Sequence, residues 1–146
     1  IYNSFFIVYY SPVVNLETQI LKSISNDVNV VAFTKDNILT LTAHEHSTKT
    51  NIETLKVELE ILTEWTKSTG PLPFLVDARY IKQMSTKERI YIQNKVPIFA
   101  SKFAVLITGG LSTFFFNLLS HLNPPQIPMK AFSDPRKANT WLKNND

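Results

Sequence analysis

The chain has 146 residues, 44% of them hydrophobic and 18% charged, with no cysteine and a formal net charge of +3. That fits one globular domain, residues 1–146, able to bury its own core, and it lacks the high-charge signature of disorder. The missing cysteine excludes a disulfide framework, a thiolate nucleophile and a cysteine zinc site, and the small charge gives no argument for a nucleic-acid partner. No basic-then-apolar leader opens the sequence and no apolar run approaches the ~20 residues of a membrane span. A cytoplasmic protein without a membrane span is expected.

Residues 1–27 are the least regular part. FFIVYY reads as a strand, and NLETQILKSIS reads as a short helix with Leu16, Ile20 and Ile24 in line. VNVVAF (28–33) and ILTLTA (38–43) are β-branched runs joined by TKDN, a hairpin turn carrying Asp36 and Asn37. A helix follows, opened by a Thr50/Glu53 capping box and carrying Ile52, Leu55, Leu59 and Leu62 on one stripe. Gly70-Pro71 ends that element. PFLVDA (73–78) and FAVLIT (103–108) are continuous apolar runs, the pattern of central parallel strands covered on both faces.

Between those two runs, Ser85 and Glu88 form a second capping box, opening a helix expected to end near Pro97. LSTFFFNLLSHL (111–122) reads as the third helix and PMKAFS (128–133) as a short strand. Asp134 as N-cap and Pro135 at the first helical position start the last helix, with Ala138, Trp141 and Leu142 inward. This alternation predicts an α/β domain: a single mixed, largely parallel β-sheet with packed helices.

PMKAFSDPRKANTWL, PFLVDAR followed by STKER, and FAVLITGGLSTFFFNLL resemble, in order and character, the strands and helices of STAS-like, SpoIIAA-like proteins (the anti-sigma-factor antagonist fold). The resemblance covers residues 28–143 as a core, with 1–27 as an added N-terminal segment. It implies a regulatory binding fold, related in shape to lipid-binding CRAL-TRIO domains, with no catalytic set and no cofactor. It also implies a protein partner, or a second copy of the chain in a homodimer. In such proteins a serine at the start of the helix after the second core strand is phosphorylated, within a D-S-S-G-like turn. MSTKE occupies that place: Ser85 stands where the acid sits, Thr86 where the phosphorylated serine sits, and Glu88 where the glycine sits.

The residues themselves offer a second class of function. Asp77 and Arg79 close a central strand, at the edge where open α/β sheets bind ligands. Thr108, Gly109 and Gly110 follow the other central strand, and Ser112 lies just beyond. Glycines there would let backbone N–H groups approach an anion. The alternative function is therefore a carrier or sensor of a small anionic or lipid-like ligand held at that edge. His44 and His46 have a spacing compatible with a metal, yet only His121 remains as a further imidazole, and no metal site is expected. Phe116 falls about 130° off the apolar arc of its helix, which marks it as an interface or lipid contact, or as a residue covered by another element.

Charge is unevenly spread. Arg79, Lys82, Lys87, Arg89, Lys95 and Lys102 face Glu88 alone over 79–102, whereas 53–64 carries four glutamates against Lys56. Either one face or edge attracts anions, or these are two solvated helix faces of opposite sign.

Overall fold

The computed structural model describes residues 20–46, 51–81, 83–108 and 126–145. Among these, six strands form one sheet whose spatial order is their sequence order: β1 (Ile20–Ser25), β2 (Asn29–Thr34), β3 (Leu39–Ala43), β4 (Leu72–Asp77), β5 (Ala100–Leu106) and β6 (Met129–Phe132). β1–β2 and β2–β3 are antiparallel; the β3–β4, β4–β5 and β5–β6 pairs are parallel. The helices are α1 (Ile52–Trp65), α2 (Thr86–Phe99) and α3 (Pro135–Lys143). The expected mixed, largely parallel α/β architecture is what the chain builds.

Side-chain alternation divides the sheet into two faces. Val31, Phe33, Leu39, Leu41, Phe74, Phe103 and Val105 form one core with Leu55, Leu59 and Leu62 of α1 and Ile92, Val96 and Phe99 of α2. Phe74 anchors it, edge-on to Phe99 at 5.1 Å and stacked on Phe103 at 5.3 Å. The other face carries a smaller cluster, in which Leu75, Ala104 and Leu106 meet Ala138 and Leu142 of α3. Trp141 packs on Phe132 at 5.7 Å, and the Lys102 ammonium lies over the Trp141 ring at 5.2 Å. The strand order never reverses among the described strands, so β4 is not a topological switch point.

Four local expectations are corrected. Ile20–Ser25 is a strand, not part of a helix. The spacing of four between Ile20 and Ile24 suits either period, but a bulge at Ile20/Lys22 shifts the register: Ile20 sits opposite Thr34 and Ile24 opposite Val31, on opposite faces. The cap of α1 is Asn51, whose Oδ1 accepts from the amides of Glu53 and Thr54, while Thr50 lies outside the described residues. α2 continues through Pro97 to Phe99, because Val96 and Phe99 are locked in the core and the Ala100 amide closes the last turn on the Val96 carbonyl. β5 accordingly starts at Ala100, with no intervening loop. α1 ends before Gly70, after a turn at 66–69, and Gly70 supplies the left-handed exit at φ 78 while its N–H donates to the Thr66 carbonyl.

Other signals on the described residues match, while the FFIVYY strand and the helix expected over 111–122 lie outside the described residues. Asn37 takes φ 59 in the β2–β3 turn, where its N–H donates to the Thr34 carbonyl. The Ser85/Glu88 capping box is complete, and Asp134 caps α3 ahead of Pro135. The charge contrast between 53–64 and 79–102 is used where α1 meets α2, through Lys95 Nζ to Glu60 Oε2 at 2.7 Å.

Candidate functional site

The C-terminal ends of the parallel strands carry the polar chemistry, in three adjoining places. The first is the exit of β4. Asp77 is its last residue and is 1% exposed. Arg79, two residues on, turns back so that its guanidinium grips the carboxylate at both oxygens: Nε to Oδ1 and Nη2 to Oδ2, each at 2.8 Å. The Arg79 amide also donates to Oδ1. A buried carboxylate requires such a partner, and the fork of an arginine supplies it in two parallel bonds. Those bonds raise the already high pKa of Arg79 further, so the cation is permanent. Thr108 Oγ1 donates to the Arg79 carbonyl and the Ala78 amide to the Leu106 carbonyl, tying this turn to the end of β5.

Thus Asp77, Arg79 and Thr108 do come together, as a closed structural unit. The Arg79 charge is committed to Asp77. Gly109, Gly110, Ser112 and Phe116 lie outside the described residues, as does His121.

The second place is the start of α2. Ser85 Oγ accepts from the Glu88 amide at 3.2 Å, and the Ser85 amide donates to Glu88 Oε2 at 2.7 Å. Arg89 braces the same turn, donating from Nη1 to the Met84 carbonyl and from Nη2 to Thr86 Oγ1. The carboxylate of Glu88, only 4% exposed, therefore already fills the anion-favouring end of the helix. Ser85, Thr86 and Lys87 remain exposed, as are two large apolar side chains, Tyr80 on the connection at 39% and Ile90 in α2 at 47%.

The third place, invisible to the sequence reading, surrounds Glu58 of α1, which is 1% exposed. Asn29 Nδ2 donates to both of its oxygens at 3.0 Å, and Asn26 Nδ2 donates to Oε1 at 2.8 Å. Asn26 in turn accepts the Val28 and Asn29 amides on its own Oδ1, shaping the β1–β2 turn. Burial pushes the Glu58 carboxyl above its ordinary range, and the two amide donors only partly offset that. One signal was available: Glu58 falls three residues after Leu55 and four before Leu62, inside the apolar stripe rather than on the acidic face.

His44 belongs to this corner. Its Nε2 lies 2.8 Å from the Asn26 carbonyl, so that nitrogen carries the proton and serves as a donor. It cannot then act as base toward Ser25 Oγ, 3.2 Å away, and this Ser–His pair is a staple of the β1–β2 turn. Among the described residues no three His, Asp or Glu side chains converge as a metal site would require, and no helix is long and apolar enough to cross a membrane.

One sheet of this order with helices on both faces defines an α/β fold, and comparison places it. The chain resembles the crystal structure of an uncharacterized protein of the DUF3478 family, with a SpoIIAA-like fold, from Shewanella loihica PV-4. The TM-score is 0.59 at 16% identity, over 82% of this chain and 98% of that one. At that identity the likeness establishes the fold alone, which is SpoIIAA-like. The chain belongs to the family described as Domain of unknown function (DUF7793), whose model matches residues 23–146. No curated protein matches it.

Proposed function

We propose that the chain is a non-catalytic regulatory module that binds a protein surface, on a partner or on a second copy of itself, through the β4–α2 connection. The observation that carries this reading is the exposure of Tyr80 on that connection and of Lys87 and Ile90 one helical turn apart at the start of α2. Large apolar side chains next to a cation suit a partner that presents an apolar spot ringed by acidic groups. The SpoIIAA-like fold and the structural use of Asp77, Glu58 and His44 support a binding role over a catalytic one.

Of the two hydroxyls at this edge, Thr86 is the one suited to a phospho-switch. A phosphate on Thr86 stays within reach of the Arg89 guanidinium, which already bonds Oγ1. On Ser85 it would displace the Glu88 amide and set negative charge beside the Glu88 carboxylate.

The test is cross-linking from a photoreactive residue at position 90, with position 137 on α3 as control. A discrete adduct from 90 alone, weakened by Lys87→Glu, is expected, and its mass distinguishes a second copy from another protein. No discrete adduct, or the same yield from 137, overturns the reading.

A further inference from the structure

The sheet face covered by α1 and α2 contains a cavity of about 40 Å³, with Leu41, Val76 and Val105 on the strand side and Leu55 and Ile92 on the helix side. One water needs only about 10–15 Å³. Among the described residues the polar lining is Asn29 and Asn51, with no lysine or arginine. Asn51 Oδ1 is already taken by the amides of Glu53 and Thr54. Asn29 differs. It is 5% exposed, and its Nδ2 donates to both oxygens of Glu58, which fixes the way the amide faces. Its Oδ1 is buried without a partner.

An acceptor left unpaired in an apolar interior is costly, and natural proteins seldom leave one so. Among the described residues a water beside it would meet Asn29 and at most the Asn51 amide, the low end of the roughly two to four polar partners that hold buried water. An anion is disfavoured, since the Glu58 carboxylate binds the same amide and no cation among the described residues lines the space. What satisfies both the wall and the acceptor is a neutral molecule with an alkyl body and one hydrogen-bond donor.

We propose that this cavity binds a small neutral alcohol, its alkyl part against the apolar wall and its hydroxyl donating to Asn29 Oδ1. Ala78, Ile81 and Met84 of the β4–α2 connection also line the cavity, but the proposed bond rests on Asn29 and not on Tyr80, Lys87 or Ile90.

Two probes of matched size, n-propanol and n-propyl chloride, differ in the donor and test it in a titration followed by NMR. In the wild-type chain n-propanol should bind about tenfold tighter, the value of one added hydrogen bond, with shifts confined to the cavity residues. Asn29→Leu should erase that preference. Ala78→Val narrows the cavity while leaving the Asn29–Glu58 bonds in place, and should abolish binding of both probes with the melting temperature kept. Equal affinity for the two probes, or no binding of either to the wild-type chain, overturns the proposal; the cavity is then packing space only.

Discussion

Two buried acids stand at the same edge of the sheet, each 1% exposed, and they are satisfied in opposite ways. Asp77 meets a full positive charge from Arg79, through two parallel bonds at 2.8 Å. Glu58 meets only neutral amides, those of Asn26 and Asn29. The first arrangement is an ion pair whose removal would strand a charge. The second is a hydrogen-bonded network in which burial opposes ionisation. Position alone does not decide how an acid behaves; the donor that faces it does.

The contrast breaks most sharply at Arg79. Arg79→Ala leaves the Asp77 carboxylate buried without its counter-charge and should cost about 3 kcal/mol in chemical denaturation. Removing both partners, Asp77→Ala with Arg79→Ala, should cost less than the single change, because no charge then remains in the interior. A loss below about 1 kcal/mol for Arg79→Ala would mean that solvent already screens the pair, in the manner of a surface bridge.

On the Glu58 side, Glu58→Leu conserves bulk but leaves the buried Asn29 Nδ2 without an acceptor, for an expected loss of about 2 kcal/mol at neutral pH. A variant more stable than wild type would show that desolvating the carboxylate outweighs its hydrogen bonds. The pH dependence sharpens the comparison. The folded state holds the Glu58 proton more tightly than the unfolded chain, whose carboxyl titrates near the ordinary 4.5. The sign is therefore fixed: this residue costs stability above its folded pKa, and the cost is relieved as pH falls through that value towards 4.5. Glu58→Gln removes the titration. Wild type should gain on Glu58→Gln as pH falls from neutral, with other groups common to both; a constant gap would contradict the raised pKa.

These two corners also show what a sequence discloses. Asp77 and Arg79 lie two residues apart, and Ser85 and Glu88 three, so their pairing is written in a short window. The turn at Asn37 and the Asp134-Pro135 start of α3 are equally local. Glu58 finds its partners 29 and 32 residues away, across the sheet, and periodicity gave only a hint that it was buried. β1 was misread for the same reason: its strand state is fixed by pairing with β2, and a bulge hid the alternation. Pro97 reads as a stop signal in any short window, yet the burial of Val96 and Phe99 holds the helix past it. The edge where β4 and β5 end was legible as a place where Asp77, Arg79 and Thr108 lie, but the tie from Thr108 to the Arg79 carbonyl shows only once the strands are laid side by side.

The smallest effect concerns the local pair that most resembles the Asp77 grip without its ionic partner. Ser85 and Glu88 exchange two hydrogen bonds at the start of α2, and the serine hydroxyl is exposed while the glutamate is buried. Ser85→Ala removes one acceptor from the first turn and leaves the Glu88 carboxylate bonded to the backbone amide of residue 85. Only the capping bond is lost, so the expected cost is about 1 kcal/mol, well under that of Arg79→Ala because no charge is stranded. Denaturant melts of Ser85→Ala and Thr86→Ala, run together, separate capping from signalling. If Ser85 works as a cap and Thr86 as the switchable hydroxyl, the first variant loses stability and keeps partner cross-linking from position 90. The second keeps stability and loses any response to phosphorylation. Unchanged stability in Ser85→Ala together with lost cross-linking would reverse the assignment and make Ser85 part of the contact surface.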